Sequence, residues 1–150
     1  MFKHLLVPTD GSSLSEDTVR RGIAFAAEVG ARITFFHSQP EPPPPIYGDS
    51  LGVDPADLLG PERSARATAT LAEAVLGRAK GAAEAAGVTA DAVTEVTDSP
   101  YIGIIAAAER NECDIIFMAS HGRRGITGLL LGSETQKVLT HSKIPVLVYR

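Results

Sequence analysis

The chain has 150 residues, long enough for one core that buries roughly 70% of the unfolded surface. Its 44% hydrophobic and 21% charged residues are those of a globular protein and exclude a disordered one. The formal charge of −4, with no basic tract, makes the chain a poor candidate for non-specific nucleic-acid binding, and the single cysteine, Cys113, excludes an internal disulfide and a cysteine-based zinc site.

From the N-terminus, His4–Val7 is a compact apolar run that predicts a buried strand. It is too short for an export signal, and no later stretch approaches the ~18–20 apolar residues of a membrane span. The expectation is a soluble, cytoplasmic protein without a membrane or nucleic-acid partner. Ser12–Gly30 reads as a helix: Ser13 and Glu16 form a capping box, Val19, Ile23, Ala26, Ala27 and Gly30 share a face, and Gly30 stops it. Arg32–Ser38 is a second strand. The proline-rich stretch Gln39–Pro61, with four consecutive prolines at Pro42–Pro45, is a long irregular connection. Glu62–Ala86 is an alanine-rich helix whose expected apolar face is Leu71, Val75, Ala79, Ala82, Ala83 and Ala86. Val88–Val96 is a third strand. Ser99 caps the next helix with Pro100 in its first position, and Ile102, Ile105 and Ala106 give the expected buried face. Asp114–Ala119 is a fourth strand, a helix runs from Ser133 to about His141, and Ile144–Tyr149 is a final strand. Continuous apolar strands alternating with helices imply an α/β fold, a doubly wound parallel sheet covered on both faces by right-handed crossovers. Neither a repeat nor a domain boundary interrupts residues 1–150.

In such a sheet ligands bind beyond the C-terminal strand ends, where the strand order reverses. Two motifs fall at strand ends. Pro8, Thr9, Asp10, Gly11 and Ser12 follow strand one. Asp10 can accept hydrogen bonds from a ribose or a base amine, or can close an Asx-turn that starts the helix. The second motif runs from Met118 and Ala119 through Ser120, His121, Gly122, Arg123, Arg124 and Gly125 to Gly132, Ser133, Glu134, Thr135 and Gln136. Gly122 and Gly125 let a backbone approach a ligand closely, and Arg123 and Arg124 can clamp phosphate oxygens. Gly132 and Ser133 open a helix whose N–H groups suit a phosphate, and Ser133 with Gln136 reads as a capping box. The alternative is a plain glycine-rich connection with a capped helix and two solvated arginines. No Walker A sequence and no dinucleotide fingerprint is present. Cys113 has no activating neighbour in sequence and reads as a structural thiol. His4, His37 and His141 lack metal-ligand spacing.

These features together resemble the universal stress protein family over essentially the whole chain. The spacing Ala119, Ser120, His121, Gly122, then nine residues, then Gly132 and Ser133 matches the ATP-binding motif of the family, Asp10 matches the acidic residue after strand one, and Ser142–Tyr149 is a typical ending. The resemblance implies one universal stress protein domain over 1–150, of the adenine nucleotide α-hydrolase-like type, with five parallel strands in the order 3-2-1-4-5. It implies binding of ATP, or of ADP or AMP, with magnesium. Asp10 would touch the adenosine, the backbone near Ser38 would line the adenine, and Gly122, Arg123, Gly132 and Ser133 would hold phosphates, with Glu134 and Thr135 following. Ala119 stands where the family has glycine. Alanine opposes a positive φ by roughly 1–2 kcal/mol and is harmless in strand geometry. The implied role is a dimeric nucleotide sensor in stress adaptation, not an enzyme. A slow ATPase, for which His121 and Glu134 are the nearby candidate bases, and a nucleotide-free protein acting through partners are the alternatives. In that strand order the apolar strand Val146–Tyr149 is an edge, so the expected homodimer pairs it with itself.

Overall fold

Five short apolar runs build one sheet. The computed structural model describes residues 1–44, 60–120 and 131–150, and within them the chain runs β1 (His4–Pro8), α1 (Ser13–Val29), β2 (Arg32–Gln39), α2 (Gly60–Ala85), β3 (Ala90–Val96), α3 (Pro100–Arg110), β4 (Ile115–Ala119), α4 (Ser133–His141) and β5 (Val146–Tyr149). All neighbouring strands are parallel and their order is β3-β2-β1-β4-β5, the doubly wound α/β sheet expected. Among the described residues no helix is long and apolar enough to cross a membrane.

Strand alternation sends side chains to both faces, and both faces are covered. Leu5, Val7, Ile33, Phe35, Ile115 and Phe117 pack against Val19, Ile23 and Ala26 of α1 and Leu76, Ala79 and Ala83 of α2. On the opposite face Leu6, Phe36, Ile116 and Met118 meet Ile104, Ala107 and Ala108 of α3 and Val138 of α4. The central strands are therefore mostly apolar, with the buried Thr34 interrupting the run in β2. The edges differ from each other: in β3 Asp91, Ala92, Thr94 and Val96 are exposed, whereas all four residues of β5 are half-buried.

Several helix details depart from expectation. Ser12, not Ser13, caps α1, its hydroxyl accepting from Ser15 N–H at 3.2 Å, and Ala27 is exposed. Gly30 does close that helix, in the left-handed region at φ +70°. In α2 the buried stripe is Ala72, Val75, Leu76, Ala79 and Ala83, leaving Leu71, Ala82 and Ala86 outside. In α3 Gly103, Ile104, Ala107 and Ala108 are buried, Ile105 and Ala106 are half-buried, and Ile102 is exposed. In an alanine-rich helix several adjacent stripes are nearly equal in apolarity, so the sheet decides which one faces inward.

The N-terminal end of the sheet is closed by polar groups. Asp114 accepts from the N–H groups of Lys3 at 2.8 Å and His4 at 3.1 Å, fixing the start of β1 beside that of β4. The His4 ring is buried, with Nε2 bonded to Thr34 Oγ1 at 2.8 Å, and its Nδ1 has no hydrogen-bond partner among the described residues. Burial and the Arg32 guanidinium lower its pKa below the usual 6.5, against the opposing pull of Asp114, Asp91 and the Asn111 backbone. Burial likewise pushes the Cys113 thiol up to about 11, which makes it the inert structural group expected.

Below its ordinary pKa of 6.5, His4 takes up a proton in the unfolded chain before the native ring does. Stability is therefore complete above that pH and declines as pH falls into the window between the two pKa values. Urea-unfolding free energies measured from about pH 7.5 to 5 should fall with acidification, and His4→Gln should remove much of the slope.

Candidate functional site

The sheet opens where its order reverses. The register between β1 and β2 runs over five pairs, from His4–Arg32 to Pro8–Phe36, whereas between β1 and β4 it holds only Leu5–Ile115 and Leu6–Ile116. Beyond those pairs the C-terminal ends of β1 and β4 face a crevice at the switch point. Pro8 ends β1 on one side, and Met118 and Ala119 end β4 on the other. Ser38, half-buried near the end of β2, lies two residues beyond Phe36, the partner of Pro8.

The turn after β1 is built from internal hydrogen bonds. Thr9 is buried, its N–H donating to Phe36 O at 2.8 Å. Its hydroxyl meets the buried Ser15 hydroxyl at 2.6 Å, and Ser15 Oγ also accepts from Asp10 N–H at 3.0 Å. Asp10 Oδ1 accepts from Ser12 N–H at 2.9 Å, the Asx-turn foreseen as one role for this residue. His37, buried in β2, places Nδ1 2.8 Å from Thr9 O; a carbonyl only accepts, so Nδ1 carries the proton. Gly11 takes φ +76°, and a Cβ there would come within 2.8 Å of Val75 Cγ2 in α2, so the turn requires glycine twice over. Below this turn a cleft of about 600 Å³ separates α1 from α2, floored by Val19, Ile23, Val75 and Ala79, with Glu16 and Arg78 3.6 Å apart on its rim.

The other wall is the start of α4. Gly132 N–H donates to Ser120 O at 2.7 Å, and the buried Thr135 hydroxyl donates to Ala119 O at 3.0 Å and Ser120 O at 3.3 Å. These bonds fasten the first turn of the helix to the end of β4. The expected capping box does not form. Gly132 is the N-cap and has no side chain to cap the helix, and Gln136 Nε2 donates instead to Leu131 O at 3.0 Å. A helix supplies no acceptors of its own for its first N–H groups, so those of Ser133 and Glu134 lie at the positive end of the helix dipole, without a side-chain cap among the described residues. Ser133 is exposed there.

Among the candidate residues, Pro8, Thr9 and Asp10 thus come to one side of the crevice, Ala119, Gly132 and Ser133 to the other, and Ser38 to its β2 flank. Ala119 is an ordinary strand residue; the one non-glycine residue with positive φ among those described is Glu112. Met118 is buried in the core. Thr135 holds the helix start, and the Glu134 carboxylate contacts Tyr101 N–H and the Lys137 ammonium, at 2.9 and 2.8 Å. His121, Gly122, Arg123, Arg124 and Gly125 lie outside the described residues. Sequence reasoning missed Ser15 and His37. Their one signal was polarity at positions otherwise patterned as core.

The sequence profile of the universal stress protein family matches residues 1–150. A universal stress protein of Thermus aquaticus is 29% identical over 150 residues, covering 100% of both chains. The solved structure of a Methanocaldococcus jannaschii universal stress protein superposes with a TM-score of 0.77 at 27% identity, covering 99% of this chain and 95% of that one. A universal stress protein solved in complex with cAMP superposes with a TM-score of 0.69 at 26% identity, covering 99% of this chain and 97% of that one.

The turn after β1 depends on the Thr9–Ser15 hydroxyl pair. Ser15→Ala deprives the buried Thr9 hydroxyl and the Asp10 amide of a partner. Denaturant unfolding should register a loss of about 1–3 kcal/mol; a loss below the measurement error would show that the turn stands without this pair.

Proposed function

The chain belongs to the universal stress protein family, and from that membership we propose that it binds an adenine nucleotide across the crevice between β1 and β4. The observation that carries this reading is the start of α4: two N–H groups without a side-chain cap among the described residues, at a helix end fastened to β4 by Gly132 and Thr135. That is the arrangement an anionic ligand uses. The cAMP held by a relative of the same fold, at 26% identity, supports the ligand class. Asp10, oriented by its Asx-turn, meets the ribose or base, the backbone near Ser38 lines the adenine, and Gly132 and Ser133 take the phosphates. His121, Gly122, Arg123, Arg124 and Gly125 contribute by sequence, the two arginines as phosphate clamps. Ala119 in strand geometry carries no φ strain, which removes one objection to binding at this position.

The ligand we favour is ATP with magnesium, with ADP and AMP as alternatives. The role is that of a sensor in the cytoplasm during stress adaptation. Glu134 is a poor base for hydrolysis, because its carboxylate is already bonded to Tyr101 and Lys137. The apolar edge Val146–Tyr149 pairs antiparallel with its counterpart in a second copy.

Calorimetric titration of the nucleotide-free chain with Mg·ATP, AMP and cAMP tests the ligand. The expected result is saturable binding that is lost in Gly132→Val. The backbone at Gly132, φ −60° and ψ 150°, is one that valine adopts, so this variant alters the helix mouth without backbone strain. Absence of binding up to about 1 mM ligand, a free energy of about 4 kcal/mol, would overturn the reading. Light scattering at micromolar concentration should give the mass of two chains; the mass of one chain would rule out edge pairing.

A further inference from the structure

The first turn of α4 is held from a second side. The helix it leans on, α3, begins without the usual means of satisfying its amides. Its N-cap Ser99 makes no side-chain capping bond, and Pro100 has no N–H to offer. The N–H groups of Ile102 and Gly103 turn back to Ser99 O at 3.0 and 3.3 Å. The amide of Tyr101 is satisfied from another helix: Glu134 Oε2 accepts from it at 2.9 Å across 33 residues of sequence. The carboxylate also suits the positive end of α3. Its second oxygen accepts from Lys137 Nζ at 2.8 Å, a bond that raises the Lys137 pKa. Lys137 lies 5.4 Å from the centroid of the Tyr101 ring, and that ring lies 5.3 Å from His141. One carboxylate therefore joins the first turns of two helices, with Lys137 and Tyr101 restricting its rotamer.

We propose that Glu134 is a positioning residue for the ligand site. By capping α3 it sets the orientation of the α4 N–H groups, and it makes the Tyr101 amide respond to what binds at Ser133. The inference rests on the nucleotide reading above. Thr135 and Gly132 fasten this turn to β4, and attachment along that one line leaves the turn free to pivot. Glu134 adds a fixed point on a different element, so the N–H groups meet an anion already oriented and little order has to be gained on binding. What matters in this role is an oxygen acceptor at this position. The negative charge, one residue from Ser133, is not what the ligand requires.

The test uses the full chain as wild type, Glu134→Ala and Glu134→Gln, each shown to be folded by circular dichroism. Each is titrated calorimetrically with Mg·ATP and cAMP, and amide NMR spectra are recorded with and without ligand. Glu134→Ala should weaken binding about tenfold, whereas Glu134→Gln, which keeps an acceptor for Tyr101 N–H, should stay within about twofold of wild type. The Tyr101 amide resonance should move on ligand addition in wild type and Glu134→Gln and stay in place in Glu134→Ala. Wild-type affinity in Glu134→Ala would overturn the proposal, as would a loss in Glu134→Gln equal to that in Glu134→Ala, which would mean that the ligand needs the charge. A wild-type chain that binds no nucleotide would remove the reading beneath it, an outcome visible in the wild-type titration alone.

Discussion

The strand order, with its reversal at β1, constrains everything else in this molecule. A chain that winds outward through β1, β2 and β3 and then returns to lay β4 on the other side of β1 leaves two neighbouring parallel strands that end on the same side of the sheet and whose following connections run to opposite faces. The helix leaving β1 packs on one face of the sheet and the helix following β4 packs on the other. Nothing in the local sequence around Asp10 or Ser133 needs to encode their proximity. The order of the strands does so, and the side chains have only to make the resulting crevice stable.

Stability there comes from polar groups that satisfy one another, and each has more than one role. Ser15 bonds both Thr9 and Asp10, Thr9 is held by Phe36, Ser15 and His37, and Thr135 bonds two carbonyls of the β4 end. A buried polar group is tolerable when fully bonded and costly when it is not. The crevice end of the sheet meets that condition with hydroxyls and one imidazole. The opposite end is closed by Asp114, which bonds the Lys3 and His4 amides, and by the bond between His4 and Thr34.

The alternation of elements was legible in the sequence because the central strands are short, mostly apolar runs separated by helix-period segments, the pattern of a doubly covered sheet. The strand order came from the resemblance to a family. Helix faces were less legible. In α2 the choice between Leu71 and Ala72 as the inward residue rests on how the helix lies on the sheet, and exposed Leu71 shows that the larger side chain does not always decide. The site was legible as motifs and illegible as contacts. Ser133 and Gln136 have the spacing of a capping box, yet Gln136 turns to Leu131, and the hydroxyl of Thr135 turns to β4. His37 acts on Thr9 across 28 residues and Glu134 on Tyr101 across 33, and no local pattern encodes such a pairing.

The two margins of the sheet are unlike. Along β3 the exposed Asp91 and the Glu95–Arg110 ion pair, 2.6 Å long, put charge and hydration where a further strand would have to join. Along β5 the residues Val146–Tyr149 carry no charge. A sheet with one receptive margin can be extended once. If a second copy joins there, the outer margins of the doubled sheet are both β3, and growth ends. In such a pair the charged β3 margins would stand against the open-ended stacking that two receptive margins permit.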